Sequence, residues 1–135
     1  MSIIRGWTKA ERKVFDTLLN AVGGQEGKNA YIGTIPDEMV NVWALNTGGG
    51  TADQAQAGCY GTEVLNASLT GVFTERESAQ EFCGLVKGKL SQTNNMHNLD
   101  NIQWFRPLSN PTITQDLDAQ VTTLDWQFEI IFSNV

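Results

Sequence analysis

The sequence predicts an α+β domain: an antiparallel or mixed β-sheet with two helices packed on one face, in the order α-β-β-α-β-β. Three observations carry this. Residues 62–73 (TEVLNASLTGVF) alternate at the period of a half-buried strand, and the run that follows returns at helical spacing. Residues 8–22 show a second helical stripe. Residues 123–132 alternate again, with the aromatic residues on one side only. Strands and helices that are each apolar on one side bury those sides against one another, so both helices are expected on a common face of the sheet.

Each element can be justified in turn. The first helix is expected to open at Thr8 as a capping box, its hydroxyl accepting from the Glu11 amide while the Glu11 carboxylate reaches back. Val14, Phe15, Leu18, Leu19 and Val22 form its apolar stripe, and Gly23 and Gly24 end it. Trp7 can pack back on the first turns, although Arg12 stands where a hydrophobic staple needs an apolar residue. Residues 23–36 read as a loop broken by four glycines, with Tyr31 and Ile32 as anchors. In residues 39–45, Val40, Val42 and Trp43 favour a strand. Residues 46–58 (NTGGGTADQAQAG) have almost nothing to bury and are expected to form a mobile loop. It is longer than the roughly two to five residues a hairpin needs, so it is either a tolerated insertion or a segment that orders on a partner.

The strand at residues 62–73 places Leu65, Ala67, Leu69 and Phe73 on one face and Val64, Asn66, Ser68, Thr70 and Val72 on the other. Thr74 and Glu77 repeat the capping-box pattern. Ala79, Phe82, Cys83, Val86 and Leu90 then form the buried stripe of the second helix, with Glu75, Glu81, Lys87 and Lys89 for the wet side. Residues 91–100 (SQTNNMHNLD) are polar and turn-rich. Residues 101–108 return to a strand, with Ile102, Trp104 and Arg106 on one face and Gln103 and Phe105 on the other. Pro107 and Pro111 keep that strand from being fully paired on both sides. Residues 109–120 are expected to be a long acidic excursion holding Asp116 and Asp118. The last strand points Leu124, Trp126, Phe128, Ile130 and Phe132 inward and Thr123, Asp125, Gln127 and Glu129 outward. Its WQFEIIF run must lie inside the sheet or under cover, because a bare edge of that composition aggregates.

Length and composition set the class. With 135 residues and 41% hydrophobic content, residues 1–135 are expected to form a single domain with one core. Cys59 and Cys83 are too sparse for a disulfide framework, so inert thiols are expected. Residues 1–13 mix Arg5, Lys9, Glu11, Arg12 and Lys13 with few apolar residues, which is not a secretory signal, and no apolar run is long enough to span a bilayer. The expected compartment is the cytoplasm of the cell that makes the chain. The net charge of -6 is uneven: residues 1–28 carry five bases against three acids, and the remainder carries four bases against twelve acids. An acidic body lacks the clustered Lys and Arg that a nucleic-acid grip requires.

Signatures of catalysis are missing. His97 is the only histidine, in NNMHN, with no HxxxH or CxxC, and nothing in the sequence activates a pairing with Cys59. NTGGGT lacks the lysine of a phosphate loop and does not match GxGxxG. Asp116 with Asp118, or Glu75 with Glu77, are simplest as solvated charge and helix-dipole partners. No enzyme, cofactor or metal site is therefore expected.

With GTEVLNASLTGVFTERESAQEFCGLVKGKL and TTLDWQFEIIFSNV both placed, the chain resembles the tail terminator family of long-tailed bacteriophages, the lambda-type minor tail protein in particular. The resemblance is one of element order and size, over nearly the whole length. The glycine run of residues 46–58 has no counterpart in it. The resemblance implies a ring, hexameric in the family, that caps the tail tube, stops its polymerisation and offers a surface for head–tail joining. The implied partners are copies of the chain itself, the tail tube protein and head–tail connector proteins, with no specific nucleic-acid binding and no membrane. The implied place is the tail or neck of the virion, after assembly in the host cytoplasm. Asp53, Gln54, Gln56, Arg106, Asp116 and Asp118 are the candidate contact residues. Two other readings fit the same sequence: another connector component such as a stopper or adaptor, or a small monomeric α+β binding module that does not assemble with concentration.

Overall fold

In the computed structural model, which describes residues 2–52 and 62–133, the two long alternating strands pair with each other and form the centre of the sheet. The elements in chain order are α1 (Ser2–Val22), β1 (Ala30–Ile32), β2 (Val42–Ala52), β3 (Thr62–Phe73), α2 (Arg76–Gln92), β4 (Ile102–Pro107), β5 (Thr112–Asp116) and β6 (Val121–Ser133). The molecule is α+β, with two helices and a mixed six-stranded sheet in the order β1-β2-β3-β6-β4. β5 also pairs with β6, beside its first half, while β4 pairs beside its second half. β6 is thus enclosed on both sides, which keeps its aromatic run off any edge.

Register explains the core. Leu65 stands opposite Ile130, Ala67 opposite Phe128 and Leu69 opposite Trp126, so the apolar faces of β3 and β6 coincide. Both helices lie on this face: Ala10, Val14, Phe15 and Leu18 from α1 and Ala79, Phe82, Cys83, Val86 and Leu90 from α2 join it in one buried cluster. Trp43 of β2 wedges between the helices, its ring 5.2 Å from that of Phe15 and 5.5 Å from that of Phe82. Gly71 faces Trp43 across the β2–β3 pair, and a Cβ there would lie 2.5 Å from Cε2 of Phe73. Only glycine lets these rings close over the strand.

Several local expectations give way to tertiary contacts. α1 runs past Thr8 to Ser2, so Thr8 and Glu11 sit inside the helix and form no terminal capping box. Trp7 Nε1 instead donates to Thr47 Oγ1 at 2.7 Å, and the same hydroxyl donates to the Glu11 carboxylate, which ties the helix to β2. Thr74 does not cap α2 either. The N-cap is Glu75, without a side-chain bond, and the Thr74 amide and hydroxyl both donate to Asn41 Oδ1. The C-terminal stop of α1 is as expected: Gly23 adopts φ 76°, and its amide donates to the Leu19 carbonyl at 2.8 Å.

Three of the expected loops contain strands. Tyr31 and Ile32 belong to β1, a short parallel strand held on β2 by Trp43, Ala44 and Leu45. The first part of the glycine-rich segment, through Ala52, continues β2 along β3 with a register shift between Gly48 and Thr51. Residues 53–58 of that expected loop lie outside the described residues. Residues 112–116 form β5, so the acidic excursion is largely a hairpin. β4 also differs from its alternation: a register shift between Ile102 and Trp104 puts Ile102 and Phe105 on the buried face and Trp104 with Arg106 on the other.

The turn from α2 to β4 has a backbone of its own. Asn94, Asn95, Met96, Asn98 and Asp100 all have φ between 52° and 58°. Asn and Asp tolerate this left-handed region, whereas Met96 is held there by complete burial of its side chain.

The wet side of α2 carries Gly84 and Gly88, where an added Cβ meets open space. Gly84→Ala and Gly88→Ala should each raise the unfolding free energy by about 0.5–1 kcal/mol, because helical glycine retains more freedom in the unfolded chain. Urea unfolding at low protein concentration checks this. A loss on either substitution would mean that the added methyl group is not free of the rest of the folded chain.

Candidate interaction surface

Because the helices cover one face of the sheet, the opposite face of β3, β4, β5 and β6 has no helix or strand over it among the described residues. Its rows can be read from the register: an apolar row at one end, Trp104, Ile131 and Val64, with the His97 ring stacked on Trp104; then Arg106, Glu129 and Asn66; Gln127 and Ser68; Thr112, Asp125 and Thr70; Thr114, Thr123 and Val72. Beyond the apolar row this surface is rich in amides and hydroxyls, and Arg106 is the one base in these rows. A shallow depression of about 230 Å³ lies in it, lined by Asn46, Gly48, Asn66, Ser68 and Gln127 among others. Toward β1 the face is closed: Val42 and Ala44 are buried, and the Tyr31 hydroxyl lies 3.2 Å from Met39 Sδ on the segment after β1.

The structure separates the candidate residues. Arg106 lies on the open face, with Nε and Nη2 both 2.6 Å from Glu129 Oε1 on the neighbouring strand. The Glu129 side chain is 16% exposed and that of Arg106 48% exposed, so the pair belongs to the sheet as much as to the solvent. Asp116 and Asp118 lie at the tip of the β5–β6 hairpin, eight or more residues along β6 from Glu129, roughly 25 Å at ~3.3 Å per residue. Arg106 and the two aspartates therefore form no common site. Asp53, Gln54 and Gln56 lie outside the described residues.

The hairpin tip is built by Asp116. Its Oδ1 accepts from the amides of Asp118 at 3.0 Å and Ala119 at 3.1 Å, and Gln120 closes the turn at φ 55°. This holds Leu117, 82% exposed, between two carboxylates. Asp116→Ala should cost about 1 kcal/mol by freeing both amides, whereas Asp118→Ala, with no such role, should change stability by less than about 0.5 kcal/mol. Thermal unfolding of the two variants side by side tests the assignment. Leu117 was detectable in the sequence only as an apolar residue between acids. The Glu129 partner of Arg106 was not, because cross-strand pairs depend on register.

His97 has a structural place. Its ring stacks on Trp104 with centroids 4.3 Å apart, Nδ1 lies 3.0 Å from the Gln103 carbonyl, and Asn98 Nδ2 lies 3.1 Å from Nε2. A neutral ring with its proton on Nδ1 satisfies both contacts. Cys83 is buried in the core, and burial pushes its thiol up while Lys87 opposes the shift, so it is held as a protonated apolar group. Among the described residues, no group of three or more His, Cys, Asp or Glu side chains is placed to hold a metal ion, and no helix is long and apolar enough to cross a membrane.

Fold and surface together define a two-layer α+β domain, helices on one face of the sheet, with a largely polar opposite face and a protruding acidic hairpin. No protein-family model matches the chain, and no curated protein matches it.

Proposed function

We propose that the chain is a non-enzymatic structural subunit of a long-tailed bacteriophage, which assembles as a ring at the end of the tail tube, stops its polymerisation and joins tail to head. The observation that carries this reading is the asymmetry of the surface: helices on one face, an open polar sheet on the other, and a projecting Asp116–Leu117–Asp118 tip at one end. A closed ring needs a heterologous contact, in which one patch meets a different patch on the next copy. A domain whose faces and edges all differ supplies such patches, and an exposed leucine on an ordered tip is suited to enter a neighbour's surface. The excess of acids after residue 28 further suits a lumen through which DNA passes without adhering, since like charges repel.

The test is the absolute mass of the purified chain by light scattering across concentration and salt, alone and with tail tubes polymerised in vitro. A species near the mass of six chains of 14.8 kDa, free or on tube ends, is expected. A strict monomer that neither binds nor caps tubes transfers the reading to a monomeric binding module. Capture by portal-side connector proteins without tube capping transfers it to a stopper or adaptor.

A further inference from the structure

An edge of unpaired amides and carbonyls takes another strand unless something blocks it. The blocks in this sheet are uneven. β1 is three residues long. β4 carries Pro107 and a register shift, and its outer side is already used: the Phe105 amide donates to the Asn95 carbonyl at 2.8 Å, and His97 Nδ1 meets the Gln103 carbonyl. β2 is different, because β1 covers it only at Trp43, Ala44 and Leu45. Along residues 46–52 no described residue pairs with its outer edge, and that run, NTGGGTA, holds no charge and no proline. β5 is the other edge left unpaired among the described residues, since it pairs with β6 on one side and carries no charge before Asp116.

We propose that the free edge of β2, residues 46–52, takes β5 of a second copy and so joins two sheets into one. The proposal rests on the ring reading and supplies its head-to-tail contact. Strand direction selects this pairing. β2 is antiparallel to β3, and β3 to β6, so β2 runs with β6; β5 is antiparallel to β6 and is therefore antiparallel to β2 when the copies share one orientation. The faces also agree, because Gly48 opposite Asn66 and Thr114 opposite Thr123 both lie on the open side, leaving one continuous polar surface. The free part of β2 lies level with the end of β6 and β5 level with its start, so successive copies are offset along the strands by roughly 20 Å at ~3.3 Å per residue. Strands inclined to the ring axis absorb such an offset, as in barrel closure.

Charge adds to this. Residues 107–133 hold Asp116, Asp118, Asp125 and Glu129 and no base, whereas the turn before β1 presents Lys28, whose ammonium has no partner among the described residues. Asp37 and Glu38, on the segment that leaves β1, act against the contact, so Asp37→Asn with Glu38→Gln should tighten assembly.

The experiment follows assembly of the full chain by light scattering, with hydrogen exchange on the same samples. Gly48→Lys and Thr114→Lys, both at positions facing open space or solvent, should each raise the assembly midpoint about tenfold, because each places a charge at the joined edges. Gly48→Glu combined with Thr114→Lys should restore it, and circular dichroism should show native monomers throughout. In the wild type, amides in residues 46–52 and 112–116 should gain protection on assembly. Rings that form equally well with both lysine variants, or protect other amides, overturn the edge pairing and leave the ring reading standing. Failure to assemble at any concentration, with or without tail tubes, overturns both. Protection, already in the monomer, of those amides of residues 46–52 that point away from β3 overturns the edge pairing by showing that the chain covers the edge itself.

Discussion

Phe128→Ala is expected to lower the unfolding free energy by about 3–5 kcal/mol, the largest loss expected from any single truncation in this domain. Phe128 is fully buried at the centre of β6, the strand that pairs with three others. Its ring stacks on that of Phe105 at 4.6 Å with an interplanar angle of 7°, and meets Trp126 at 4.7 Å, tilted by 49°. Truncation would remove buried aromatic surface and both ring contacts, and a sheet paired on both sides of the site cannot collapse into the space left behind. Equilibrium unfolding in urea, monitored at concentrations that keep the chain monomeric, measures the loss. A cost below about 1 kcal/mol would show that the faces of β6 are reversed.

A second large effect is expected at Asn101, a polar residue only 8% exposed. Its Nδ2 donates to the Gly6 carbonyl at 3.0 Å and to the Ser133 carbonyl at 2.7 Å, pinning the start of α1 to the end of β6. Its Oδ1 is buried, with no hydrogen-bond partner among the described residues. Asn101→Asp keeps the shape but turns both donors into acceptors facing two carbonyls. The buried carboxylate should have a folded-state pKa above its unfolded value of about 3.9, so the penalty is absent below that pH, grows as the pH rises and is complete above the folded-state pKa. At neutral pH the expected cost is about 3 kcal/mol or more. Asn101→Ala should also destabilise the fold, but without this pH dependence. Unfolding of both variants at pH 4 and pH 7, each against the wild type, separates the two effects. An equal cost for Asn101→Asp at both pH values would mean that the site is open to water.

Both positions sit in segments whose character could be read locally to different degrees. Phe128 was placed inward by alternation alone, because β6 is long, apolar on one side and polar on the other, and its period cannot be satisfied by a helix. The same holds for Leu65, Leu69 and Phe73 in β3 and for the stripe from Ala79 to Leu90 in α2, all buried as their spacing implied. Asn101 gave no such sign. Its importance comes from two carbonyls, one of them 95 residues away in sequence. The candidate surface was legible in part: the outward residues of β3 and β6 followed from the period, whereas the Arg106–Glu129 pair and the Leu117 tip needed the register of β4 and the existence of β5.

By itself, then, the sequence determined the α+β class, the buried faces of the two central strands, the stripes of both helices and the stop at Gly23, since each depends on periodicity or on the backbone freedom of one residue. Tertiary structure decided where α1 begins, because Thr47 and Asn101 reward helix before Thr8. It also decided that Asn46, Thr47 and the glycines after them extend as a strand, and that the weakly patterned β1 and β5 join the sheet. Such segments carry too little apolar area to order alone. They become strands because a neighbour already in place supplies hydrogen bonds for their backbone groups.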